Sequence, residues 1–189
     1  MRPAGSVTLV LGDQLTLDNA ALRGIDPARD SVLMIEAPGE ATNVWSHKSR
    51  ISVFLSAMRH FRDTLHRRGF SVHYVHLDEE QPPAFEDRLI NALAKLRPRM
   101  VRVCEPGEYR MLQLLQETVA GQGVALDVSP DDHFMIDRDA FSAWAGNRRQ
   151  LVMESFYRHM RKRSGVLMEK DIPAGGAWNY DTMNRKSFG

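Results

Sequence analysis

Ser6-Val-Thr-Leu-Val-Leu11, followed at once by Gly12-Asp13-Gln14, is a β-rich and almost unbroken apolar run that ends in a tight turn. A strand that reads apolar on both of its alternating faces has to be covered on both sides, which is the condition of a central strand in a parallel sheet. Ser31-Val-Leu-Met-Ile-Glu36 repeats the pattern, and Ala37-Pro38-Gly39-Glu40 breaks it.

Helical and extended signals then alternate. From His47 to Arg68 the residues Ile51, Phe54, Leu55, Met58, Phe61 and Leu65 recur at three- and four-residue intervals and mark one helical stripe, with Gly69 as its stop. Phe70 to Val75 predicts a third strand, about Ala84 to Leu96 a helix, Met100 to Cys104 a fourth strand and about Glu108 to Val119 a helix, which Gly121 and Gly123 interrupt. Val124 to Val128 closes the series. The expectation is an α/β fold: an open five-stranded parallel Rossmann-like sheet with helices on both faces, in a domain over residues 1–130. Beyond Pro130 the alternation stops. Residues 131–189 are expected as a helical extension, with a short helix over Asp139 to Ala145, a longer one over Gln150 to Ser164, and an extended tail from Ile172.

Length and composition bound the function. At 189 residues, 43% apolar and 26% charged, the chain is long enough for one well-filled domain and has the make-up of a globular protein. No apolar run approaches the length of a membrane span and residues 1–10 lack a secretory stretch, so a cytoplasmic protein is expected. A single cysteine, Cys104, excludes an internal disulfide and is too few thiolates for a cluster. Residues 1–144 hold 16 Lys/Arg against 20 Asp/Glu, whereas 145–189 hold 9 against 4, so the carboxyl end is the basic end. Such an end faces phosphates or is simply a solvated helix face.

In open parallel sheets ligands settle outside the carboxyl ends of the strands. That directs attention to three loops. Gly12 lets backbone approach a ligand, with Asp13 and Gln14 offering an acceptor and an amide, although turn chemistry accounts for the same residues. Glu36 and Glu40 stand near His47 and Lys48 at a helix start, where two basic residues oppose the macrodipole. Glu105 ends the fourth strand, while Glu108 reads as a helix cap. Neither a three-glycine dinucleotide fingerprint nor a Walker lysine is present, nor HExxH, nor GxSxG. A binding module is therefore expected, rather than an enzyme acting alone.

Six stretches taken together carry a resemblance: Leu11 to Leu15, Ser46 to Ser49, Ser56 to Phe61, Glu105 to Arg110, Glu154 to Met160 and Gly176 to Asp181. Their order and combination resemble the amino-terminal region of the deoxyribodipyrimidine photolyase-related proteins, the iron–sulfur bacterial cryptochromes and photolyases, over nearly the whole chain. The resemblance implies a flavoprotein that uses light to reverse six-four photoproducts in DNA or acts as a photoreceptor. It implies an amino-terminal domain that holds the antenna chromophore 6,7-dimethyl-8-ribityllumazine, with FAD and a four-iron cluster in a helical carboxyl-terminal domain. This chain ends before that domain and is expected to carry the antenna half alone, so DNA is met through the longer protein. Exposed interdomain surface then predicts self-association.

By matching positions, the resemblance places the lumazine against Gly12, Asp13 and Gln14, the Ile35-Glu36 strand end, Glu40, His47 and Lys48, with Phe54 in the wall. Asn43 stands where the family pattern has an aromatic residue, which removes a stacking partner worth roughly 0.5–1.5 kcal/mol. Two readings compete with this one. One is an unrelated nucleotide-binding domain on the same sheet, and the other an interaction domain whose docking face is Leu151 to Met160 and the aromatic tail.

Overall fold

The computed structural model describes residues 5–39, 46–78 and 80–181. The chain divides into two compact units, residues 1–132 and 133–189. Among the described residues no helix is long and apolar enough to cross a membrane.

The first unit is the expected sheet. Its strands are β1 (Ser6–Leu9), β2 (Ser31–Ile35), β3 (Ser71–Val75), β4 (Met100–Cys104) and β5 (Ala125–Ser129). They lie in the order β3-β2-β1-β4-β5, and every pairing is parallel. The apolar run that opens the chain is thus the middle of the sheet, and Val7 through Leu11 are all buried.

Two apolar layers cover the two faces. Helices α2 (Phe85–Leu96) and α3 (Tyr109–Gly121) place Phe85, Leu89, Leu93, Met111, Leu115 and Val119 against Leu9, Leu33 and Val103. On the other face α1 (Lys48–Arg67) places Met58, Phe61 and Leu65 against Val10, Val32 and Met34. The step from β1 to β2 crosses that same face with a 3₁₀ turn, Ala20–Leu22, in which the Asn19 side chain caps the Ala21 N–H at 2.9 Å. Successive crossovers thus leave in opposite directions at β1 and β4, and a crevice opens there.

Several local details depart from the reading of the sequence. Helix α3 runs through Gly121, and the chain turns at Gly123 with φ +68° instead. Gly69 does stop α1, at φ +86°, with its N–H bonded to His66 O at 2.9 Å. Arg88, in α2, is 1% exposed. It donates to four carbonyls: Pro82 at 2.7 Å, Glu36 and His76 at 2.8 Å, and Leu77 at 3.3 Å. This one side chain ties the ends of β2 and β3 to the loop before α2, satisfying carbonyls that regular secondary structure leaves over.

The second unit contains α4 (Arg138–Ala145), α5 (Met153–Ser164) and a small antiparallel pair, β6 (Met168–Glu169) with β7 (Ile172–Pro173). Helix α5 starts at Met153, three residues after the predicted Gln150, and the pairing of Ile172 corrects the expectation of a wholly extended tail. Phe141, Trp144 and Phe156 pack ring against ring, with centroids 4.8–5.8 Å apart. Arg161, 8% exposed, donates to the carbonyls of Val166 and Leu167 and lies over the rings of Tyr157 and Trp178 at 5.4 and 5.3 Å.

Candidate functional site

The crevice lies where the loops after β1, β2 and β4 meet the first turns of α1, and it encloses about 400 Å³. Helix α1 explains its apolar wall. The stripe read from the sequence divides in two: Met58, Phe61 and Leu65 are buried in the core, whereas Phe54 is 45% exposed and, with Ile51, faces the crevice. Phe85 and Met111 close the opposite side. Among the described residues, no side chain fills this extension of the core.

Gly12 is required by a close approach. A Cβ built there would stand 2.4 Å from Phe54 Cζ and 3.0 Å from Met58 Sδ, so only glycine lets the phenyl ring lie against the turn. Asp13 beside it lines the crevice, as do Ile35 and Glu36. Gln14 does not. It is buried, and its Nε2 donates to the carbonyls of Cys104 at 3.3 Å and Glu105 at 3.0 Å, fastening the β1 loop to the β4 loop across 90 residues of sequence. Among the described residues its Oε1 has no partner.

Glu36 lines the hollow, yet its carboxylate is committed elsewhere. Oε1 and Oε2 accept from Arg59 Nε and Nη2 at 2.7 and 2.9 Å, Tyr74 Oη donates at 2.5 Å, and the Leu77 N–H donates at 2.8 Å. Burial alone would raise its pKa, but these donors outweigh it and hold the carboxyl below its ordinary value. Tyr74 moves the other way: burial first, then the bond to Glu36, lifts its hydroxyl above the usual range. Glu36 thus braces α1 through Arg59, and its side chain is not offered to a ligand.

The helix-start residues need the same correction. His47 is the N-cap of α1: its Nδ1 accepts from the Ser49 N–H at 3.2 Å, so this residue has a capping task at the helix start, where Lys48 remains in the first turn. Neither His47 nor Lys48 lines the crevice; Ser46 and Arg50 do. Glu105 stays outside the lining, its N–H bonded to Ser129 O at 2.8 Å and its carbonyl to Gln14. Glu108 makes no side-chain cap to α3. It lines the crevice and pairs with Arg110 at 2.9 Å. Glu40 and Asn43 lie outside the described residues. Cys104, at the end of β4, is buried, and burial pushes its thiol up to about 11, which keeps it protonated at neutral pH.

Arg50 is not among the residues singled out by the sequence pattern, yet it lines the crevice. A signal was there, since it precedes Phe54 by four residues and so shares its side of the helix.

A doubly wound, five-stranded parallel sheet with helices on both faces defines an α/β Rossmann-like fold, and an apolar hollow lies at its switch point. Residues 8–189 match the family described as deoxyribodipyrimidine photo-lyase-related protein, and the chain belongs to that family. It is 37% identical over 181 residues to a (6-4) photolyase of Agrobacterium fabrum, an alignment that covers 95% of this chain and 36% of that protein, its amino-terminal part. It is also 26% identical over 143 residues to an uncharacterized protein of Acanthamoeba polyphaga mimivirus, covering 70% of this chain and 68% of the viral one. The chain thus spans little more than a third of the photolyase's length.

Proposed function

We propose that the first unit is the antenna-binding part of a photolyase-like or cryptochrome-like flavoprotein, and that its ligand is 6,7-dimethyl-8-ribityllumazine. The observation that carries this reading is the open apolar hollow at the sheet's switch point, walled by Ile35, Ile51, Phe54 and Met111. Its volume, about 400 Å³, is in the range of small-molecule sites. Flat aromatic and aliphatic walls suit a heterocyclic ring, while Asp13, Ser46, Arg50 and Glu108 at its edge suit hydroxyls and ring heteroatoms.

When bound, such a chromophore absorbs light and passes the excitation to an acceptor. The chain's own residues then have physical tasks only. Phe54 stacks on the ring, Gly12 lets Phe54 close in from below, and the Glu36–Arg59 pair keeps α1 at a fixed distance from the sheet. Stacking on Phe54 contributes about 1 kcal/mol. Light-driven repair of DNA, FAD and a four-iron cluster belong on this reading to a longer protein, of the kind whose amino-terminal third this chain resembles. The outward apolar side chains of α5, Met153 and Tyr157 among them, are then the face on which the carboxyl-terminal domain rests.

Titrating the purified chain with the lumazine and following its absorption tests the reading. A saturable spectral change is expected, weakened several-fold by Phe54→Ala. A featureless titration, or stabilisation of the fold by AMP or ATP but not by the lumazine in a thermal-shift panel, would replace the antenna with the competing nucleotide site.

A further inference from the structure

Four charged side chains line the crevice, and they fall into two kinds. Glu36 is saturated by Arg59, Tyr74 and Leu77, and Glu108 is paired with Arg110. Asp13 and Arg50 differ: among the described residues their side chains make no hydrogen bond and no ion pair, either with neighbours or with each other. A carboxylate and a guanidinium therefore border one small hollow without neutralising one another.

Each charge restricts what the hollow can take. Alone, Arg50 would favour an anion, and Asp13 next to the same space works against one; alone, Asp13 would favour an ammonium group, which Arg50 repels. Together they suit a neutral ligand that presents a donor beside an acceptor. The carboxylate accepts but cannot donate, and the guanidinium donates but cannot accept. The phenyl ring of Phe54 in the lining, with Ile35 beside the same space, favours a flat ring that carries its donor and acceptor at the edge. A cyclic imide edge, in which a ring N–H is flanked by carbonyls, meets all three conditions.

We infer that Asp13 and Arg50 are the specificity residues of the crevice and read such an imide edge, Asp13 accepting from the ring N–H and Arg50 donating to a neighbouring carbonyl. This rests on the antenna reading and adds to it the part of the ligand that is read, an edge that dioxopteridines and isoalloxazines share. It also ranks ligands: phosphate esters and simple adenine nucleotides, whose ring has no imide, bind less well. A site built around a donor on its ligand rejects the analogue that lacks it.

The test compares the lumazine with the same molecule methylated on the imide nitrogen, by fluorescence titration of the full chain. The wild-type protein should bind the methylated compound at least about tenfold more weakly, equivalent to 1.4 kcal/mol. Asp13→Ala should weaken the parent compound and bring the two ligands within about twofold of each other. Arg50→Met should weaken both, and Arg50→Lys should recover part of the loss. Both positions are exposed, and unchanged thermal midpoints confirm that the variants fold. Equal affinity for the two compounds in the wild-type protein, or discrimination that survives Asp13→Ala, overturns the imide assignment while leaving an antenna site in place. No binding of either compound overturns the antenna reading and the assignment with it.

Discussion

The two units are held together by different means. In the first, two layers of leucine, valine, phenylalanine and methionine side chains close on both faces of a five-stranded sheet, and Leu9, Leu33, Val101 and Leu115 are wholly buried. Among the described residues of the second, Arg161 and Pro173 are the buried ones. Apart from the ring cluster of Phe141, Trp144 and Phe156, several of its apolar side chains face outward, with Met153 77%, Leu167 62% and Ile172 61% exposed. A helical stripe of apolar residues looks the same in a sequence whether its own unit covers it or not. Helix α1 and helix α5 both carry one, and only the first has a sheet beneath it.

The sharpest way to break this contrast is Leu33→Ala. Removing a wholly buried leucine from the central layers should cost about 4 kcal/mol, read from urea unfolding by far-UV circular dichroism. A loss below about 1 kcal/mol would mean that the sheet core is not what holds the first unit.

Glu36→Gln comes next and separates charge from packing. At neutral pH it should cost about 2 kcal/mol, because charge-assisted bonds from Arg59 and Tyr74 are replaced by weaker ones. Burial raises the Glu36 carboxyl and its donors lower it further, so the folded value lies below the ordinary 4.5. Its contribution is therefore complete above the unfolded value and is lost as pH falls through the folded one. Wild type and variant should converge in stability on acidification, and a gap that stays constant down to pH 3 would contradict the assignment.

In the second unit Arg161→Met should cost about 1.5 kcal/mol, the sum of lost carbonyl bonds and ring contacts. The change should appear in tryptophan emission, through Trp178, with no effect on the unfolding of the sheet. Smallest of all, Met153→Ala should move stability by no more than about 0.5 kcal/mol in the isolated chain. A larger loss would show that the outward face of α5 is already covered, by a second copy or otherwise, and sedimentation at several concentrations would tell which.

Much of the first unit was legible because its signals are local. Ser6 to Leu11 declares a two-sided strand by composition, Gly69 ends a helix by its backbone freedom, and the parallel pairing follows from the alternation of strands with helices, whereas the strand order did not show in the sequence. The position of the crevice was legible for the same reason, as it is a property of topology. Its chemistry was less so. The fate of the Glu36 carboxylate is set by Arg59 and Tyr74, 23 and 38 residues away, and which turn of α1 faces the hollow depends on how the helix is seated, which favours Arg50 over Lys48. Buried Arg88 gave no signal at all, since its four partners are backbone carbonyls and carry no sequence. The β6–β7 pair is two residues long on each side, too short for a periodicity to register.

The place of β1 in the middle of the sheet has a consequence for synthesis. On the ribosome β1 emerges before its partners and finds β2 within thirty residues, but its other edge waits for β4, nearly a hundred residues behind. Until then a strand with Val7 and Leu9 along one side has a bare backbone edge, the arrangement that invites chaperone capture or wrong pairing. Slowing translation between residues 35 and 100 should lower the yield of soluble protein more than slowing it after residue 130.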